Sequence, residues 1–141
     1  MKAKKKKPAS PAKRKSQSMR DRPKMMPISE EMRQWSAMLK TEVGSWPQVT
    51  SKPMFGMSAI YHRKTMFAAL PVSRGITSPN SFILRFVPFP PELLERAKKE
   101  PRIGAGRALK TAKWISFEVN AETDLRDALW WLNRAYERAS K

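Results

Sequence analysis

MFGMSAIYHRKTMFA, residues 54–68, decides how the rest of the chain is read. From Lys52 the apolar period is two. Phe55, Met57, Ala59 and Tyr61 fall on one face, and Met54, Gly56, Ser58 and Ile60 on the other. A basic tip, His62-Arg63-Lys64, separates this run from a second strand, Met66 to Leu70, which Pro71 closes. The spacing predicts a hairpin with a loop of about three or four residues. Phe55 and Tyr61 are expected to pack on the sheet. Gly56, inside the first strand, is expected to mark a bulge or a close backbone approach.

Outward from the hairpin, helical and extended periods alternate. Upstream, Ser29 suits an N-cap, Glu30 and Glu31 suit the positive end of a helix dipole, and Met32, Trp35, Leu39 and Val43 form one stripe ending at Gly44. Downstream, Arg74-Gly75 and Ser78-Pro79 read as loop. Ser81 to Val87 then alternates Phe82, Leu84 and Phe86 with Ile83, Arg85 and Val87. Pro88, Pro90 and Pro91 end that strand, and Pro91 suits the first turn of a short helix, Glu92 to Lys99.

A glycine-containing basic loop, Arg102 to Thr111, leads to a strand with Ile115, Phe117 and Val119 on its core face. Asn120 or Thr123 can cap a last helix striped by Leu125, Ala128, Leu129, Leu132, Ala135, Tyr136 and Ala139. The order is α-β-β-β-α-β-α. It predicts an α+β, two-layer domain, with a mainly antiparallel sheet of about four strands covered by the N- and C-terminal helices.

Lys52-Pro53-Met54-Phe55-Gly56, Tyr61 and Met66-Phe67-Ala68 resemble, in ungapped register, a pattern of the N-terminal domain of TfoX-type competence regulators, whose fold is like that of YjbR-type proteins. The family pattern is Arg-x-Met-Phe-Gly-Gly, a Tyr, a turn and Met-Phe-Ala. Here Met57 stands for the second Gly, and Arg63-Lys64 stands for an acidic-Gly turn. The resemblance is close over residues 52–70, and the Leu129-Trp130-Trp131-Leu132 ending is compatible with it. It implies a small regulatory or interaction module, sometimes associated with DNA, with no catalytic residues to carry over.

Charge divides the chain differently. Residues 1–27 hold eleven Lys or Arg and one acid, Asp21, for +10, and the remaining residues carry +7 of the net +17. The first segment has little besides Ala, Met and Pro to bury, too little to offset roughly 1–2 kcal/mol of ordering cost per residue. It is expected to be a disordered basic arm, with residues 28–141 as a single domain. Its apolar runs are too short for a secretory signal, and none in the chain approaches the ~18 residues of a membrane span. The chain has no cysteine and one histidine, which excludes disulfides, thiolate nucleophiles and zinc knuckles. A cytoplasmic location, with nucleoid association, is the expectation, and no cofactor or metal is implied.

The arm is the main functional signal. Lys4, Lys5, Lys6 and Lys7, then Lys13, Arg14 and Lys15, resemble tails that bind nucleic acid by charge density. Six such charges on phosphates would give log K a slope near −5 against log salt. Arg63 and Lys64 at the hairpin tip, and Arg102, Arg107 and Lys110 in the basic loop, are auxiliary candidates for phosphate contact. The loop lacks the Gly-Lys-Ser/Thr and strand-to-helix setting of a nucleotide-binding loop. His62 has no evident nucleophile to serve. The expectation is therefore a non-catalytic domain whose arm binds nucleic acid without sequence preference. The alternative is a module for a protein partner whose arm serves solubility or targeting.

Overall fold

The computed structural model describes residues 25–76, 78–86, 89–104 and 113–139. Its elements run β1 (Met25–Pro27), α1 (Glu30–Gly44), β2 (Val49–Met54), β3 (Met57–His62), β4 (Thr65–Pro71), β5 (Arg74–Ile76), β6 (Ser81–Arg85), α2 (Pro91–Lys98), β7 (Ile103–Gly104), β8 (Trp114–Glu118) and α3 (Leu125–Ala139). Among the described residues one sheet has the order β2-β3-β4-β6-β8-β7, with every neighbouring pair antiparallel, and β1 and β5 form a separate ribbon. The class is α+β, as the periodicity implies, but the main sheet has six strands rather than about four.

One of the two extra strands is β7, and the other arises in the opening stretch. The alternation through residues 52–61 belongs to two strands, folded back at Phe55-Gly56 so that Met54 faces Met57. Phe55 (φ 52) and Gly56 (φ 79) both take positive φ, as the two central residues of a type I′ hairpin turn do. Phe55 therefore points away from the sheet and is 80% exposed, contrary to the expectation that it packs there. Gly56 makes a turn rather than a bulge. Its carbonyl accepts the amides of Val72, Ser73 and Arg74 at 2.9, 2.9 and 3.1 Å. A Cβ at Gly56 would lie 2.7 Å from Arg74 Cγ. This docking holds the turn although an aromatic residue disfavours the left-handed region. Phe55→Asn should accordingly raise the urea midpoint at unchanged m, a gain of about 1 kcal/mol, because Asn tolerates that φ.

The bulge lies one strand later. Ile60 pairs with Ala68 but Tyr61 pairs with Met66, so Phe67 is the extra residue of β4. Phe67 and Ala68 both join the core. The helices cover one face of the sheet. Met32, Leu39 and Val43 of α1, Ala97 of α2, and Leu125, Ala128, Trp131, Leu132 and Ala135 of α3 cluster with Ile60, Phe67, Ala68, Leu70, Phe82, Leu84, Ile115 and Phe117. Met57, Ala59 and Ala69, which point the other way, are buried but stand outside that cluster.

The ends of the helices follow local chemistry. Ser29 Oγ accepts the Met32 amide at 3.0 Å, as expected of an N-cap. Before α3, where Asn120 or Thr123 is expected to cap, Asp124 instead reaches back: its carboxylate accepts the amides of Asn120 and Ala121 at 2.8 and 3.2 Å, as the third residue of a capping box does. Met25–Pro27, placed in the arm by composition, pairs with Arg74–Ile76 instead. The first 24 residues lie outside the described residues.

Candidate nucleic-acid interface

Of the basic residues named from sequence, Lys4, Lys5, Lys6, Lys7, Lys13, Arg14, Lys15, Arg107 and Lys110 lie outside the described residues. Arg63 and Lys64 form the exposed two-residue turn between β3 and β4, since His62 pairs with Thr65. Arg63 takes φ 59, and its amide donates to Gln48 O at 2.8 Å. Both side chains are free of ion pairs among the described residues.

The first residue of the tip has a different role. His62 is buried, its ring stacked on Tyr136 with centroids 4.1 Å apart. Its Nδ1 lies 3.0 Å from Tyr136 O. A carbonyl only accepts, so Nδ1 carries the proton and serves one of the last four carbonyls of α3, which lack intrahelical donors. Tyr136 Oη in turn donates to Pro47 O at 2.8 Å. His62 therefore ties the hairpin to the last helix.

Arg102, expected to contribute a phosphate contact, is committed elsewhere. Its Nε and Nη2 donate to the two carboxylate oxygens of Glu100, each at 2.6 Å. Nη1 donates to Asp124 at 3.0 Å and Nη2 to Asp127 at 2.8 Å. The guanidinium also lies over Phe117, 5.0 Å from the ring centroid. Hydrogen bonds from Arg102 hold the Glu100 carboxyl below its ordinary range, and Glu100 in turn holds Arg102 more firmly charged. Three carboxylates around one cation leave no attraction for a phosphate. Spacing did not reveal this, because Asp124 and Asp127 arrive from another element.

Other cations sit beside aromatic rings. Arg96 and Arg134 flank Trp130 at 3.9 and 5.0 Å from its centroid. Lys52 Nζ lies 5.4 Å from the Tyr61 centroid, and the Arg85 guanidinium 5.9 Å from that of Trp114. The last two pairs stand on the sheet face away from the helices. Arg85 alternates with Ile83 and Val87 in the strand sequence, and the sequence names no partner for it. Its partner is Trp114, directly opposite on β8, and only the strand register discloses it.

Among the described residues no group of three or more His, Asp or Glu side chains is placed to hold a metal ion. No helix among them is long and apolar enough to cross a membrane. Comparison of the chain with protein-family models, curated proteins and solved structures found no match.

Proposed function

We propose that the chain is a non-catalytic regulatory or interaction module, similar to TfoX N-terminal domains, that binds nucleic acid without sequence preference through its basic lead-in segment. The observation that carries this reading is the concentration of +10 within residues 1–27. Lysines there meet phosphates and release counterions whatever the base sequence. The exposed Arg63-Lys64 turn adds to the same field, whereas Arg102 does not. A cytoplasmic, nucleoid-associated location agrees with such a partner.

The test compares the full chain with residues 25–141 on a mixed-sequence duplex at several salt concentrations. The full chain should give a log K against log salt slope near −5 or steeper, and the shortened chain a slope weaker by about 5. Equal slopes for the two would refute the reading. They would favour the second one, a module for a protein partner with a solubilising arm. Phe55 and Val72, both exposed and apolar at neighbouring positions through the Gly56 carbonyl, support that second reading.

A further inference from the structure

The sheet has one face that no described helix covers, and its composition is unusual for a solvated surface. Cross-strand pairing places Lys52, Ala59, Ala69, Ile83 and Ser116 in a row across it. Ala59, Ala69 and Ser116 are small and buried, which makes this row low. The next positions on the same face are larger. Tyr61 is opposite Met66 on β3 and β4, and Arg85 is opposite Trp114 on β6 and β8. Trp114 is 37% exposed, among the most exposed large apolar side chains described.

We propose that the Tyr61–Trp114 level of this face is a platform for single-stranded nucleic acid, with bases stacking on those two rings. The inference rests on the nucleic-acid reading above and gives it a preferred substrate. Each ring has a cation over it, Lys52 over Tyr61 and Arg85 over Trp114, so a base that stacks there takes the cation's place on the ring and leaves the positive charge within reach of its own phosphate. The two rings stand three strand spacings apart, about 14 Å. Arg63 and Lys64 extend the positive charge beyond Tyr61, one pair past the Tyr61–Met66 level.

Among the described residues this face carries one carboxylate, Glu118, four residues from Trp114 along β8 and away from the ring level. That charge balance suits a polyanion rather than an acidic or apolar protein surface. A duplex keeps its bases stacked inside and offers this flat face nothing to hold the rings. An unpaired strand exposes both faces of each base.

The experiment uses the full chain with a fluorescent oligothymidylate of about 15 nucleotides and with a duplex of the same length, at one salt concentration. The wild type should prefer the single strand. Trp114→Leu and Tyr61→Leu should each weaken single-strand binding about tenfold and leave duplex binding unchanged. Trp114→Phe, which keeps a stacking ring, should recover most of the loss, and thermal melting confirms that each variant folds. An equal loss on both ligands, or no loss on either, would overturn the platform while leaving arm-driven binding intact. A wild type that binds neither ligand would overturn both.

Discussion

Trp131→Ala should cost about 3–5 kcal/mol, the largest loss expected from any single truncation of this core. The ring is 2% exposed and sits within the cluster between α3 and the sheet. Its removal takes away both the transfer energy of the indole and the contacts of every neighbour that faced it. Domains of this size are stable by about 5–15 kcal/mol, so the variant would melt well below the wild type or fail to accumulate. Trp130, the next residue, gives the contrast. It is half-buried, tilted 82° to Trp131 and flanked by the Arg96 and Arg134 guanidiniums. Trp130→Ala should cost about 1–2 kcal/mol, mostly lost cation–π contact and stem packing. Urea unfolding of both variants checks the difference, and similar losses would contradict the burial assigned to them.

Arg102→Ala should be the most damaging polar substitution, by about 2–3 kcal/mol. Removing this cation leaves Glu100, Asp124 and Asp127 converging on a vacated position, and the repulsion outweighs the hydrogen bonds themselves. The figure is below the full value for a buried pair because Arg102 keeps 20% of its side-chain exposure and Asp127 keeps 48%. Arg102→Lys retains the charge but loses the fork that grips both oxygens of Glu100, and should recover less than half.

The pH dependence has a definite sign. Glu100 titrates below its ordinary value of 4.5 in the folded chain, so its contribution is fully present above that value and is lost as the medium becomes more acidic. The wild type should therefore lose stability on acidification through this range. The Arg102→Ala variant, whose carboxylates gain by protonation, should lose less or improve. Parallel pH profiles of the two proteins would contradict this account.

What could be read in advance follows from how burial marks a sequence. α1, α3, β6 and β8 each bury one face over several turns or pairs, so Met32, Leu39 and Val43, or Phe82 and Leu84, recur at the period of their element. The strands β1, β5 and β7 are three, three and two residues long, too short to display any period. The Phe55-Gly56 turn escaped for another reason. Nothing local marks Phe as a turn residue, and the amides that hold Gly56 come from residues 72–74. Arg102 and Arg85 were visible as charges, but their partners came from α3 and β8 and depend on tertiary contact and register.

The sheet stops on one side at β2, and that strand is badly suited to recruiting a neighbour. Pro53 interrupts its row of donors, and Pro is tolerated there because an outward-facing position needs no amide hydrogen. Lys52 beside it places a charge where a second chain would have to approach. Two copies meeting along this border would lose a backbone link and bring like charges together. Copies of the chain crowded together thus resist fusing their sheets into fibres along this border.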